Sequence, residues 1–289
     1  MRRQFKDTFQ DLAGRDASLV LLLGDVSVYL FRDFQERSPE RFYNLGICEN
    51  TIISTAAGLS SQGLTPVAHT IAPFLTERCY EHIKLDLSYN RFPACIVTCG
   101  ASFDYSWDGA THHCFTDLEL MRMLPNMEVF QPGSEKELDA LFRQRYNSPS
   151  VKYYRLSDHP HTIDLDVEFG KGVVLKDSGA PLTVMTAGPI LGNVLEACRD
   201  LPVNLVYFHT LKPLDAELVA RFRNTRVLTV HDAFGLKEAI HEVPEMRVTH
   251  HGLCGEFVTC YGKLDDARRS CGLDVSGIAE RVRAELAKA

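Results

Sequence analysis

Short apolar segments alternate with amphipathic segments along most of the chain, and this alternation limits the possible folds more than any other feature. Residues 19–23 read Leu-Val-Leu-Leu-Leu and are followed by Gly24-Asp25. An uninterrupted apolar run of this length is typical of a strand buried on both faces, as in a parallel sheet. Helical segments between such strands indicate an α/β protein with helices on both faces of the sheet.

The same pattern predicts the positions of the strands and helices. Strands are expected at residues 19–23, 41–45, 65–68, 94–98, 128–131, 151–155, 182–186, 204–208 and 226–230. Helices are expected at residues 5–13, 50–62, 76–89, 135–146, 190–198, 215–222 and 275–287, and residues 100–115 are expected to be irregular.

The length of the chain and one polar segment predict two domains. A domain has roughly 100 to 200 residues, so 289 residues suggest two of them. Residues 158–170 are polar and interrupt the alternation. We therefore predict a first domain at residues 1–157, a linker at 158–170 and a second domain at 171–289, each built on an open, mostly parallel sheet.

Composition excludes several classes of protein. The chain is 45% hydrophobic and 24% charged, and its formal charge of -7 gives no basic stripe for nucleic acid. No apolar run reaches the roughly 20 residues that span a bilayer, and no signal-peptide pattern follows Met1, so we expect a cytoplasmic protein. The nine cysteines are irregularly spaced without a Cys-x-x-Cys pair, which favours reduced thiols and predicts no structural metal.

Two segments are expected at the carboxyl ends of strands, where open parallel sheets bind ligands. In the first, residues 41–50, a strand passes through a glycine turn into a helix that begins at Glu49. In the second, residues 104–113, Asp108, His112 and His113 share a glycine-containing loop. Taken singly, Glu49 is a first-turn acid favoured by the helix dipole, and the second segment is a turn with two surface histidines.

Taken together and in order, these segments resemble the pyrimidine-binding domain of the transketolase family of thiamine-diphosphate enzymes. The resemblance covers nearly the whole chain and depends on a series of spaced motifs. They are Asn44-Leu45-Gly46-Ile47-Cys48-Glu49, Ala57-Gly58-Leu59, Phe74-Leu75 with Tyr80, Asp108-Gly109-Ala110-Thr111-His112, Asp117-Leu118, Leu124-Pro125-Asn126-Met127 and, beyond the linker, Thr210-Leu211-Lys212-Pro213-Leu214-Asp215.

The resemblance implies a role for each matching residue. Glu49 would hold the proton that the aminopyrimidine needs at its ring nitrogen in the imino form, and Phe74 and Tyr80 would line the pyrimidine pocket. Both aromatic residues also fit the apolar face of an ordinary amphipathic helix. Asp108 and His112 would contact substrate hydroxyls, with His112 transferring protons as a catalytic residue. His113 stands where the family commonly has glutamine, and it is also expected to bind substrate.

A missing motif implies a partner. The family binds the cofactor's diphosphate through a divalent metal on a separate domain that carries Gly-Asp-Gly, which this sequence lacks. Gly24-Asp25-Val26 comes nearest, and a turn after a strand explains it. The resemblance therefore implies one subunit of a split transketolase. The partner subunit would carry Gly-Asp-Gly and hold Mg²⁺ or a similar ion, in an α2β2 heterotetramer with active sites at subunit boundaries.

Two residues expected near the substrate differ from those of family members that act on sugar phosphates. Gly100 and Asp158 stand where those enzymes commonly have histidine and arginine. Loss of two cationic donors weakens phosphate binding, so we expect unphosphorylated carbonyl substrates. Arg155 lies close enough in sequence to leave another phosphate arrangement open. In the second domain, His231-Asp232 is expected to be a solvated loop, with a subunit interface as the alternative.

Three functions remain open from the sequence. The leading one is transfer of a two-carbon ketol unit between carbonyl compounds. A second keeps the cofactor but acts as a 2-oxo acid decarboxylase or dehydrogenase β subunit, or as an acyloin synthase resembling deoxyxylulose-phosphate synthase. The third is a non-catalytic regulatory subunit with the same fold. The sequence does not identify the donor, the acceptor or the partner chain.

Overall fold

The computed structural model describes residues 1–253 and 255–288, which contain two sheets with helices packed around them. Residues 254 and 289, both within the predicted second domain, lie outside the described residues. The strands are β1 Leu19–Leu23, β2 Phe42–Asn44, β3 Thr65–Ile71, β4 Ala94–Cys99, β5 Met127–Phe130, β6 Val151–Arg155, β7 Val173–Lys176, β8 Leu182–Ala187, β9 Asn204–Phe208, β10 Thr210–Lys212, β11 Arg226–His231 and β12 Arg247–Gly252. The α-helices are α1 Arg2–Ala13, α2 Arg32–Arg37, α3 Glu49–Ser61, α4 Ala72–Leu75, α5 Tyr80–His82, α6 Asp117–Met123, α7 Glu135–Arg145, α8 Leu191–Cys198, α9 Ala216–Ala220, α10 Leu236–His241, α11 Leu264–Ser270 and α12 Val275–Leu286.

Both sheets are mostly parallel, which confirms the predicted α/β class. The first has the strand order β10-β5-β6-β4-β3-β1-β2, and its six strands β1 to β6 are mutually parallel. The second has the order β12-β11-β8-β9-β7, with only the edge strand β7 antiparallel. No helix among the described residues is long and apolar enough to cross a membrane.

Strand β1 shows why helices cover both faces of the first sheet. Its alternate side chains enter two separate apolar clusters, Val20 and Leu22 on one face and the three other leucines on the opposite face. Helix α3 contributes Ile52 to the first cluster, and α1 contributes Phe5 to the second. Each fully buried leucine contributes roughly 2 kcal/mol, so an all-apolar strand requires cover on both sides.

Strand β10 joins the two halves of the chain in a way that the sequence did not predict. It follows β9 of the second sheet directly, yet it pairs antiparallel with β5 at the edge of the first sheet. Thr210 lies opposite Phe130, and the Gln131 amide donates to the His209 carbonyl at 2.9 Å. The edge of the first sheet is therefore completed by residues far beyond the polar segment at 158–170.

A buried ion pair connects the end of β6 to the start of α6. The Arg155 Nε lies 2.8 Å from Asp117 Oδ2, and an Arg155 terminal nitrogen donates to the Cys114 carbonyl at 2.7 Å. The hydroxyl of Tyr153 donates to the same Asp117 oxygen. Asp232, at the end of β11, lies 4.0 Å from the guanidinium. These contacts form a polar seam between the two sheets.

The seam corrects the expectation for His231-Asp232. Both residues are buried between the sheets, and the His231 Nε2 lies 2.8 Å from Gln131 Oε1. The predicted solvated loop is therefore wrong, because β11 ends against the first sheet and not in solvent.

The predicted helix at residues 76–89 is also partly wrong. Residues 76–79 form turns, α5 is a single turn, and residues 83–89 form a π-helix. The buried face still contains Ile83 and Leu87 four residues apart. Apolar spacing therefore revealed a helical segment, but it does not distinguish a wide π turn from an α turn.

Candidate active site

Three of the predicted site residues lie just beyond the carboxyl ends of three strands. Glu49 follows β2, Phe74 follows β3, and the irregular loop with His112 follows β4. Strand β3 pairs directly with β4, and β1 separates β3 from β2. Because these strands are parallel, their carboxyl ends lie at one edge of the sheet, where ligand sites of open sheets occur.

Glu49 is the first residue of α3 and is almost completely buried. Its Oε2 accepts a hydrogen bond from Arg78 Nη1 at 2.8 Å. Its Oε1 is buried without a hydrogen-bond partner among the described residues. A buried oxygen without a donor is costly, so this atom points to a binding role for Glu49.

Arg78 is part of this site, although no sequence motif pointed to it. The carbon centre of its guanidinium lies 4.4 Å from the centroid of the Phe74 ring, a cation–π distance. The Arg78 side chain is 47% exposed, whereas that of its partner Glu49 is 2% exposed. Arg78 thus links Glu49 and Phe74, two of the three predicted cofactor residues, while remaining accessible to water.

His112 is the third predicted residue of this group, and it also packs against Phe74. The two ring centroids are 5.2 Å apart in an edge-to-face arrangement. The His112 Nδ1 lies 2.9 Å from the hydroxyl of Thr111, and the ring is half-buried. The structure therefore brings Glu49, Phe74 and His112 together.

Tyr80 and Asp108 lie outside this group. Tyr80 is half-buried and packs against the core of the first sheet. Burial raises the pKa of its hydroxyl. Asp108 is exposed, and its carboxylate makes no hydrogen bond or ion pair within the described ranges. Asp108 belongs to the same loop as His112, so it borders the group without joining it.

The second half of the chain holds the loop that carries these residues. The Ser106 hydroxyl donates to the Gly262 carbonyl at 2.6 Å, and the Ser102 hydroxyl donates to the Asp232 carbonyl at 3.0 Å. Gly109 has a φ of +66°, and a Cβ there would lie 2.1 Å from the Tyr261 ring. Glycine is thus required by both backbone angle and packing.

His113 faces away from this group and is buried, which corrects its interpretation as a surface histidine. Its residue exposure is 7%, and neither ring nitrogen has a hydrogen-bond partner among residues 1–253 and 255–288. The ring packs against Phe103 and Phe115, at centroid distances of 5.6 and 5.3 Å. Burial, and after it the neighbouring His112, lowers the pKa of His113, which favours the neutral ring.

Gly100 and Asp158 stand where enzymes that act on sugar phosphates commonly have phosphate ligands. In this protein both positions make other contacts. Gly100 has a φ of +77°, and a Cβ there would lie 2.4 Å from the Tyr105 ring. Asp158 forms two hydrogen bonds of 3.2 Å with Arg2. Arg155, which left a phosphate arrangement open, is buried in the seam with Asp117, so that alternative is wrong.

A buried carboxyl lies beneath these positions. Asp104 accepts hydrogen bonds from the Ser157 hydroxyl at 2.8 Å, the Asp158 amide at 2.8 Å and the Ala101 amide at 3.1 Å. Burial nonetheless raises the pKa of Asp104 to about 7, because water is excluded and Asp158 adds a second negative charge.

Comparison with known proteins identifies the family of this chain. Residues 1–157 match the family model for the pyrimidine-binding domain of transketolase. A putative transketolase C-terminal section from Methanocaldococcus jannaschii is 29% identical, over 100% of this chain and 96% of that protein. The 1-deoxy-D-xylulose-5-phosphate synthase of Thermus thermophilus is 31% identical over 85% of this chain, but this covers 42% of the synthase.

A solved structure described as a split-gene transketolase in an inactive β4 tetramer has the same fold. It superposes with a TM-score of 0.87 and 29% identity, over 99% of this chain and 98% of that one. The chain therefore belongs to the transketolase family, with its pyrimidine-binding domain at residues 1–157 and a likeness to the family's carboxy-terminal section along its length.

Proposed function

We propose that this chain is one subunit of a split, thiamine-diphosphate-dependent transketolase, and that it supplies the pyrimidine side of the active site. The observation that carries the proposal is the buried, unpartnered Glu49 Oε1 at the start of α3, beside Phe74 and His112. The likeness to a separate transketolase C-terminal section supports the split arrangement.

The residues present fit the pyrimidine ring of the cofactor. Glu49 Oε1 has no hydrogen-bond donor among the described residues, and a protonated ring nitrogen would be such a donor. Phe74 offers an aromatic face against which the ring can pack. Arg78 covers that face at 4.4 Å. Because Arg78 is half exposed, its guanidinium can turn into solvent, and cofactor binding requires that movement.

The chemistry divides between the cofactor and the side chains. When bound, thiamine diphosphate supplies the nucleophilic carbon for two-carbon ketol transfer. Glu49 holds the proton at the pyrimidine nitrogen, in a site from which burial excludes water. His112 exchanges a proton with substrate oxygen, and the exposed Asp108 orients substrate hydroxyls. Tyr80 supports the pocket from the core side, whereas His113 faces away from this group.

The diphosphate and its Mg²⁺ belong to a partner subunit that carries Gly-Asp-Gly, in an α2β2 assembly. This chain has no such motif, and the similar split-gene protein is described as inactive in its β4 form. Both points support partner dependence. We infer unphosphorylated substrates because Tyr105 and the Arg2–Asp158 pair occupy the positions where enzymes that act on sugar phosphates commonly have phosphate ligands.

The likeness to a synthase favours a second candidate reaction. The 31% identity with 1-deoxy-D-xylulose-5-phosphate synthase supports an acyloin synthesis on the same cofactor. That reaction, like those of 2-oxo acid decarboxylases and dehydrogenases, releases carbon dioxide, whereas ketol transfer releases a shortened aldose. Product analysis of the assembled complex therefore separates them.

Calorimetric titration tests the shared site. Thiamine diphosphate with Mg²⁺ is titrated into this chain, into the partner and into the mixture, and we expect binding only to the mixture. Glu49→Gln should weaken that binding at least tenfold, whereas Glu36→Gln, on an exposed residue of α2, should leave it unchanged. Tight binding or ketol transfer by this chain alone refutes the proposal. Full activity of the Glu49→Gln complex points to the non-catalytic alternative.

A further inference from the structure

A second pocket lies behind the loop that carries His112. It has a volume of about 230 Å³ and lies where residues 110–116 meet the segment after β12. Glu49, Phe74 and His112 are not among the described residues that line it. A molecule in this pocket therefore does not reach the reacting group, and the pocket is a candidate binding site of its own.

Most of the pocket wall is apolar. The apolar side chains that line it are mainly aromatic and branched, and they include Phe115, Phe234, Leu253, Phe257 and Val258. An apolar cavity of about 150 Å³ holds one benzene ring. The larger volume of this pocket has room for a ring that carries a short chain.

His113 is the buried polar group of the pocket. It is 7% exposed, it lines the cavity, and both of its ring nitrogens lack partners among the described residues. A buried polar atom without a partner is costly, so this ring favours a ligand that supplies a hydrogen bond. A hydroxyl group can donate or accept, and it therefore pairs with a neutral imidazole in either tautomer.

Two carboxylates lie at the outer rim of the pocket. Glu77 and Glu256 both line it and are both exposed, whereas His113 is buried. The Thr116 hydroxyl donates to Glu77 at 2.5 Å and so orients its carboxylate. No lysine or arginine is among the described lining residues. The rim therefore attracts a positively charged group and repels an anion.

We propose that this pocket is a non-catalytic binding site for a small organic amine that carries a hydroxyl group at the opposite end of an apolar body. The hydroxyl group pairs with His113 inside the pocket, the apolar body packs between the phenylalanine rings, and the ammonium group lies near Glu77 and Glu256. Binding is non-covalent and requires neither thiamine diphosphate nor a partner subunit. The site therefore goes beyond the function proposed above and does not depend on it.

Matched ligands titrated into the full chain without cofactor test each part of the site. Tyramine has the hydroxyl group, the ring and the amine, phenethylamine lacks the hydroxyl group, para-ethylphenol lacks the amine, and para-hydroxyphenylacetate carries a carboxylate. Saturation-transfer NMR at pH 7 and low salt gives the dissociation constants. Tyramine should bind at least about fivefold more tightly than phenethylamine and about two- to fivefold more tightly than para-ethylphenol, with the carboxylate weakest. Added salt should reduce only the preference that depends on the amine.

Each contact has its own variant. His113→Leu should abolish the preference for tyramine over phenethylamine. The double variant Glu77→Gln with Glu256→Gln should abolish the preference for tyramine over para-ethylphenol. Ala110→Phe places a larger side chain on the pocket wall and should weaken tyramine binding at least about fivefold.

Two controls change residues of the same types outside the pocket. His241→Gln and Glu36→Gln alter exposed residues of α10 and α2, and both should leave the affinities of all four ligands unchanged. Urea unfolding of every variant verifies that it is folded before its affinities are compared.

Amide hydrogen exchange shows where the ligand binds. Tyramine at saturation should slow exchange in residues 110–116 and 255–258, because the ligand contacts both segments. Equal affinity of the four ligands, protection confined to other segments, or binding unaffected by Ala110→Phe would each overturn the proposal. Ketol transfer by the assembled complex is a separate measurement, and its absence refutes the proposed function but leaves this site standing.

Discussion

Two arginine–carboxylate pairs in this protein have the same length and opposite surroundings. Arg155 lies 2.8 Å from Asp117, and Arg78 lies 2.8 Å from Glu49. Both side chains of the first pair are at most 1% exposed, whereas Arg78 is 47% exposed. The distance alone therefore does not reveal the role of such a pair. The accessibility of the arginine determines whether the pair can open.

The partners of each pair explain the difference. The buried guanidinium also binds the Cys114 carbonyl, and the Asp117 carboxylate also accepts from Tyr153, so nearby donors and acceptors replace the lost water. Within residues 1–253 and 255–288, the Arg78 guanidinium contacts just Glu49 and the face of Phe74, and water is within its reach. The first pair fixes the seam between the sheets, and the second can rearrange around a ligand.

The largest effect is expected from breaking the buried pair. Asp117→Asn leaves the Arg155 guanidinium buried without a counter-charge, which should lower the free energy of unfolding by about 3–5 kcal/mol. Urea unfolding measures this loss. Glu196→Gln removes the exposed pair with Arg199 and should cost less than about 1 kcal/mol. Equal losses in the two variants would contradict the role given to burial.

Glu49→Gln should affect activity far more than stability. An amide does not hold the required proton, so kcat of the assembled complex should fall by about 100-fold or more. The unfolding free energy should change by less than about 1 kcal/mol, because the released Arg78 is free to contact water. Steady-state kinetics and urea unfolding of the same preparation give both quantities. A large loss of stability with little loss of activity would make Glu49 a structural residue.

Arg78→Gln should have an intermediate effect on stability and the opposite effect on cofactor binding. The loss of unfolding free energy should be about 1–2 kcal/mol, between the values expected for a fully exposed and for a fully buried ion pair. Removing the guanidinium from Phe74 should tighten cofactor binding about two- to fivefold, since a partly exposed cation–π contact is worth about 0.5–1 kcal/mol. Calorimetry on the assembled complex checks this. Weaker binding would show that Arg78 holds the cofactor and does not compete with it.

The smallest effect concerns Asp104, a buried carboxyl with no arginine hydrogen-bonded to it. Its pKa of about 7 in the folded protein lies above the ordinary value of 3.8, so the folded state keeps a proton that the unfolded state loses. Stability from this group is therefore lost as pH rises from 3.8 toward about 7, and the loss levels off above the folded-state pKa. Asp104→Asn removes this titration, so between pH 6 and pH 8 the unfolding free energy of the unmodified protein should fall by about 1 kcal/mol relative to that of the variant. Parallel pH profiles of the two proteins would refute the raised pKa.

The strands whose positions were predicted best are those in which the residue pattern of the segment agrees with its burial in the folded protein. Residues 19–23, 151–155 and 204–208 match β1, β6 and β9 residue for residue, and all three strands are buried along their whole length. Strand β10 was missed because three residues ending in a lysine carry no strand signal of their own. Its pairing with β5 depends on the packing of distant segments. The boundaries at residues 157 and 170 stay a proposal.

The site was predicted only in part, because some of its residues stand in recognisable sequence motifs and others do not. Glu49, Phe74 and His112 stand in recognisable motifs, and the structure brings them together. Arg78 was missed because it lies in a segment that was interpreted only as an amphipathic helix. The opposite orientations of His112 and His113 follow from the turn at Gly109 and from the rings around His113, which adjacent positions in sequence do not reveal.

The pairing of β10 with β5 constrains the order in which the protein can form during synthesis. Residues 127–130 are made more than eighty residues before their partners at 210–212, so the emerging chain carries an open strand edge for that whole interval. Such an edge is a template for pairing with another chain. The first sheet acquires its protected edge only when β10, well into the second half, has been translated.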